Sequence, residues 1–209
     1  MGTQPKDLVS FGSRYVFPGS DRYAEQTVTL TASPGPSLAM KFGAVAIADP
    51  WWPEAAPQYP VIGIGRGAYP TMLTTVARTR DGRTEPERMA VAASIGDLDE
   101  VTAWQPLVQA EAHFHLDVDS ALGAFYEITD AALLQPLFED AGHMKGIFDR
   151  TLTELVVPLE VDGRVVAVVF LCPDGSGLYP AWAGFDKDMQ AVAVLVDLKL
   201  LSAAERRVG

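Results

Sequence analysis

"ELVVPLEVDGRVVAVVFLC", residues 154–172, decides the fold class. Two β-branched apolar runs flank Asp162-Gly163. That residue pair tolerates positive φ and suits the type I′ turn of an antiparallel hairpin. Outward from this hairpin, strand signals dominate. "MQAVAVLVDLKLL" (189–201), "ERMAVAASI" (87–95), "YPTMLTTVART" (69–79), "YPVIGIG" (59–65) and "TVTLTA" (27–32) all read as strands. "LAMKFGAVAIAD" (38–49) reads as one more, with Gly43 as a bulge or a point of close approach. Helical signals gather in "TDAALLQPLFEDAGHMKGIFDRTL" (129–152). Thr129 or Asp130 can cap it, and Leu133, Leu134, Leu137 and Phe138 form an apolar stripe. Pro136 predicts a kink or restart. "TASPGPSL" (31–38) and "DPWWPEAAPQYP" (49–60) read as breaker loops, and "LLSAAERRVG" as a short terminal helix or a frayed end. "AYPTML" (68–73) and "LYPAWA" (178–183) echo each other without forming a repeat array. The expectation is a single α+β domain over residues 1–209. It is β-rich, with mainly antiparallel sheet and one main helical segment around 129–152.

Composition narrows the function classes. The chain has 209 residues, 48% apolar and 21% charged, which is a globular composition. Sixteen Lys and Arg stand against 27 Asp and Glu, for a net charge of -11. Nucleic-acid binding and anionic membrane surfaces both need a basic face, so neither is an expected partner. Small molecules, cations and basic protein surfaces remain. Cys172 is the one cysteine, so neither an intramolecular disulfide nor a thiolate cluster is possible. The first residues lack a secretory apolar run, and no apolar stretch approaches the roughly 20 residues that span a bilayer. A cytoplasmic protein is expected.

"HFHLDVDS" (113–120) puts His113, His115, Asp117 and Asp119 on one face of a strand, with Phe114, Leu116 and Val118 on the other. Three readings fit: a solvated strand face, a His-x-His metal site, or acid/base chemistry. The expectation is a partly solvated face that binds no metal tightly, with His113 and His115 as the candidate ligands. "CPDGSGLYPAW" (172–182) is a turn-dense loop whose N–H groups could hold an anion, with Asp174 and Ser176 available. It lacks the lysine and Ser/Thr of a phosphate-binding P-loop, and "GIGRG" (63–67) lacks the third glycine of a dinucleotide fingerprint. Trp51-Trp52 in a proline-rich loop can form a stacking or contact surface, or cap the core. No Gly-x-Ser-x-Gly elbow occurs, and Cys172 reads as a small buried hydrophobe.

These stretches together resemble the domain of unknown function 4241 family, which has no known role. Asp49-Pro50, "GAYP" (67–70), "RMAVAA" (88–93), "VDSALGAFYE" (118–127) and "GSGLYPAWAG" (175–184) follow its motifs in order. The likeness covers about residues 40–198. Three positions depart from the pattern: Ala121 replaces glycine, Glu127 replaces aspartate, and Ser176 replaces the aspartate of Gly-Asp-Gly. The resemblance implies a shared fold, and it implies Asp119, Glu127 and the 175–184 loop as one neighbourhood.

The expected function is binding or interaction through an acidic surface, with a protein or small-molecule partner and no cofactor. The alternative is a small-molecule enzyme or ligand-binding domain. Its candidate catalytic carboxylates are Asp119, Glu127 and Asp174. Its candidate ligand contacts are Trp51, Tyr69, Gly175, Ser176, Gly177, Tyr179 and Trp182.

Overall fold

The hairpin turn closes as read: Asp162 and Gly163 take φ of 52° and 74°. The structure is a computed structural model and describes residues 4–17, 26–51, 60–80, 83–109, 112–201 and 204–207. In chain order its elements begin with α1 (Pro5–Leu8), β1 (Arg14–Phe17), β2 (Gln26–Met40), β3 (Ala44–Ala48), β4 (Val61–Gly63), β5 (Gly67–Arg80) and β6 (Arg83–Gly96). Five short strands follow: β7 (Ala103–Pro106), β8 (Val108–Gln109), β9 (Ala112–His113), β10 (His115–Val118) and β11 (Leu122–Glu127). A 3-10 turn (Ile128–Asp130) leads into α2 (Ala131–Glu139) and α3 (Ala141–Glu154). The chain ends with β12 (Val156–Val161), β13 (Arg164–Leu171), β14 (Gly177–Phe185), β15 (Ala191–Asp197) and β16 (Glu205–Arg207).

Every described strand pair is antiparallel. The larger, curled sheet runs β10-β14-β15-β6-β5-β2-β1-β16, with β7 also on β14. The smaller runs β12-β13-β11-β3-β4. The protein is mostly antiparallel sheet, and the helices are a minor addition.

The period of two in β3 and β11 explains the layering. Val45, Ile47 and Phe125 enter the core between the two sheets, with Leu38, Leu116, Val168, Phe170 and Val194. Ala46, Ala48, Ala124 and Tyr126 face the other way, into a second core under Leu134 and Phe138 of α2 and Met144 and Ile147 of α3. A third cluster covers the outer face of the larger sheet, where Val28, Leu30, Val76 and Leu195 meet Leu8 and Leu201. The smaller sheet is thus covered on both faces, and all six residues of β11 are buried.

Five expectations need correction. "TASPGPSL" is not a loop but the middle of β2, with the register slipping between Pro34 and Ser37. The prolines are tolerated because β1 pairs with Gln26–Thr29, so among the described residues this part of β2 has β5 as its one strand partner. "LAMKFGAVAIAD" is two strands in different sheets, joined by a corner at Lys41–Gly43. Gly43 has φ 76°, and a Cβ there would lie 2.2 Å from the Gly65 carbonyl, so the close approach is real and excludes a side chain. The helical segment restarts at Asp140, not Pro136: Asp140 turns extended and its Oδ1 accepts from the His143 N–H at 2.7 Å. Asp130 caps nothing with its side chain and instead receives both guanidinium nitrogens of Arg164, at 2.6 and 2.7 Å. Finally, the C-terminal stretch contributes strand β16 against β1, not a helix.

Candidate functional site

The β3–β11 ladder pairs Val45 with Glu127 at one end and Ala48 with Ala124 at the other. Each end is closed by a buried carboxylate that binds the backbone of a turn. At the first end Glu127 accepts the N–H groups of Lys41 (2.8 Å), Phe42 and Gly43 (3.0 Å). At the second, Asp49 accepts from the Asp119 N–H (2.7 Å), the Ser120 N–H (2.8 Å), the Ser120 hydroxyl (2.6 Å) and the Trp51 N–H (2.8 Å). Both side chains are fully buried. Buried carboxylates need such donors, since an unpaired charge away from water is costly.

The expected neighbourhood therefore divides. Glu127 is separated from Asp119 by the length of β11, about 17 Å at the usual strand rise. The Glu127 oxygens are committed to a corner between the sheets. Asp119 is exposed and lies beside the 172–176 turn, because the Ser176 hydroxyl donates to its carbonyl at 2.8 Å; the rest of the expected 175–184 loop is strand β14. Asp174 is exposed on the same turn.

The aromatic candidates separate as well. Tyr179 is buried in the inter-sheet core and donates its hydroxyl to the Gly175 carbonyl at 2.7 Å. Burial, then Cys172 and Asp174, push its hydroxyl well above the ordinary range. Tyr69 donates to the Ile64 carbonyl at 2.7 Å, and burial followed by Asp97 raises it too. Each Tyr-Pro thus ties its strand to a carbonyl four or five residues upstream, which explains the echo between the two stretches. Gly175 in the turn and Gly177 at the start of β14 both take positive φ. Trp182 lies on the outer face of the larger sheet, edge-on to His113 at 5.5 Å. Trp52 lies outside the described residues. Cys172 is buried, and burial with the Asp49 charge raises its thiol, the opposite of an activated nucleophile.

One cleft does gather predicted residues. Trp51, Asp119, Ser120, Leu122, Met144, Lys145 and Phe148 line a hollow of about 440 Å³. Asp49 shapes it directly, since the Trp51, Asp119 and Ser120 amides all converge on that one carboxylate. Met144 and Phe148, four residues apart on α3, share a face. Lys145 is held by Asp149 at 2.5 Å, which leaves Asp119 as the charge on the lining without an ion pair among the described residues. Asp49, Ser120, Met144, Lys145 and Phe148 were not singled out for the site from sequence. The signal for Asp49 was present: Asp-Pro-Trp permits an Asx turn onto residue 51. A larger hollow of about 580 Å³ lies on the other flank of α3, beside Gly142 and Gly146, and holds none of the predicted site residues.

Compared with protein-family models, curated proteins and solved structures, the chain matches none. Among the described residues no helix is long and apolar enough to cross a membrane.

Proposed function

We propose that the protein is a binding protein whose cleft receives a cationic side chain with an apolar stem, presented by a basic partner. One observation carries this reading: the cleft combines an exposed indole, an apolar floor and one carboxylate without an ion pair among the described residues. Trp51 is 44% exposed, with Leu122, Met144 and Phe148 below and Asp119 at the rim. A lysine or arginine stem buries its methylenes against such a floor while its charge meets the carboxylate and the indole face. The net charge of -11 adds long-range attraction for a basic surface.

The catalytic alternative has less support. Paired acid and base roles need two carboxylates at one place, and Glu127 and Asp119 sit at opposite ends of β11. Kinship with the domain of unknown function 4241 family belongs to the same proposal. It is supported by the roles its motif residues play here: the Asp49 clamp, the Tyr69 and Tyr179 ties, and Gly123, where a Cβ would meet the Phe170 ring at 2.4 Å. A single α+β domain in the cytoplasm completes the reading, in keeping with a lone, buried thiol.

The test is an amide NMR titration of the full chain with phenethylammonium, and with 3-phenylpropionate as the probe of opposite charge. The cation is expected to shift Asp119, Ser120, Lys145 and Phe148, and the anion to leave them in place. Equal responses to both, or shifts elsewhere only, would refute the reading. A lysine-containing peptide binding no better than the small cation would move the assignment from protein partner to small ligand.

A further inference from the structure

The face of "HFHLDVDS" holds an arrangement independent of the cleft. His113 and His115 place their ring centres 4.7 Å apart, tilted by 45°. His113 Nε2 lies 3.1 Å from the Ala181 carbonyl oxygen, and His115 Nδ1 lies 3.0 Å from the His113 carbonyl oxygen. A carbonyl oxygen can only accept, so each of these ring nitrogens carries a hydrogen. In the neutral rings the lone pairs then fall on His113 Nδ1 and His115 Nε2. Backbone carbonyls that fix an imidazole tautomer in this way are the usual supports of metal-ligating histidines. Those supports are not visible in the sequence, because one comes from β14, 68 residues away, and the other from the break in the strand at Phe114.

We propose that His113 and His115 form a two-imidazole site for a borderline divalent transition metal, Cu2+ or Zn2+. The separation fits. An imidazole centre lies about 3 Å from a metal bonded at about 2.0 Å, so two adjacent ligands hold their centres about 4–5 Å apart. Both residues are half-buried, which limits the rotation of their rings. Phe114 and Leu116, facing the inter-sheet core, anchor the backbone on either side. Asp117 follows on the solvent face, but among the described residues no three His, Cys, Asp or Glu side chains surround one point. Water therefore completes the shell. Nitrogen ligands with water favour Cu2+ over Zn2+, and both over Mn2+ or Mg2+. Because an imidazole ligates only when unprotonated, acid releases the metal.

The chain has three histidines, so a tag-free preparation isolates the question. Titration with Cu2+ is expected to saturate at one ion per chain, to show two-nitrogen coupling by electron paramagnetic resonance, and to quench Trp182 beside His113. His113→Ala and His115→Ala should each weaken Cu2+ and Zn2+ at least tenfold. His143→Ala, on the exposed surface of α3, should leave both unchanged. Metal-free histidine nitrogen spectra at alkaline pH give a second readout: an Nε2–H tautomer for His113 and an Nδ1–H tautomer for His115. Binding that survives both single variants, binding lost with His143, or the opposite tautomer at either ring overturns the assignment.

Discussion

The two ends of the β3–β11 ladder use one device for two purposes. At the Glu127 end, a carboxylate accepts three backbone N–H groups and fixes the corner where the chain passes from one sheet to the other. The residue there with positive φ is a glycine, Gly43, packed against Gly65 with no room for a side chain. At the Asp49 end, a carboxylate again gathers three N–H groups, plus the Ser120 hydroxyl. Here the residue with positive φ is Ala121, at 62°, and the turn opens onto a cleft. One end is closed and unstrained; the other is open and holds a left-handed alanine. The difference teaches that a buried carboxylate is not in itself a sign of chemistry. What distinguishes the Asp49 end is that the amides it collects belong to residues with side chains on the cleft.

The largest effect should come from the closed end. Glu127→Ala leaves three N–H groups without their acceptor, and is expected to cost about 3 kcal/mol or more in urea unfolding. A loss below about 1 kcal/mol would mean that water replaces the carboxylate, and the likeness between the two ends would fail. Ala121→Gly probes strain at the open end. Relief of the left-handed alanine, less the added freedom of the unfolded chain, should stabilise the protein by about 0.5–1 kcal/mol. No gain would remove the strain from the comparison. It would also weaken the resemblance, which places glycine at this position.

A third buried carboxylate calibrates the other two. Asp197 ends β15 and accepts the Lys199 N–H at 2.7 Å. Burial raises its carboxyl, opposed in smaller part by that hydrogen bond and by the Lys199 charge. The folded state therefore keeps this proton to higher pH than the unfolded state does. The stability linked to the proton is present below the ordinary carboxylate value of about 3.9 and is lost as pH rises through the raised value. Asp197→Asn, which keeps an acceptor for Lys199, should then gain less than about 1 kcal/mol at neutral pH. The gain should vanish in acid. A gain independent of pH would point to packing instead of charge.

Much of this was legible in the residues. The Asp162-Gly163 hairpin, the alternation in 113–118 and the strands around 69–79, 87–95 and 189–201 follow from local pattern and turn chemistry. Pro34 and Pro36 were misleading because proline is disfavoured only where its nitrogen faces a partner strand, and edge position is a property of the whole sheet. The corner at Gly43 was hidden because an apolar run looks the same whether it stays in one sheet or changes sheets. Of the site, Asp119 and Trp51 were named from sequence and meet in the cleft. Glu127 shared their motif but not their place, since the five other buried residues of β11 intervene. Lys145 and Phe148 lay on a predicted helix, but the side of the sheet that helix would cover depends on chain topology.

The central claim is that Asp49 builds the binding cleft and Glu127 does not. It is tested most directly by titrating phenethylammonium into Asp49→Asn and Glu127→Gln at low temperature, with the folded fraction followed in the same samples. Asp49→Asn replaces an acceptor oxygen with a donor and releases the Asp119–Ser120 turn, so affinity per folded molecule should fall at least tenfold. Glu127→Gln should lose stability yet bind as the parent protein does. Equal loss in both variants, or undiminished binding by Asp49→Asn, would contradict the account.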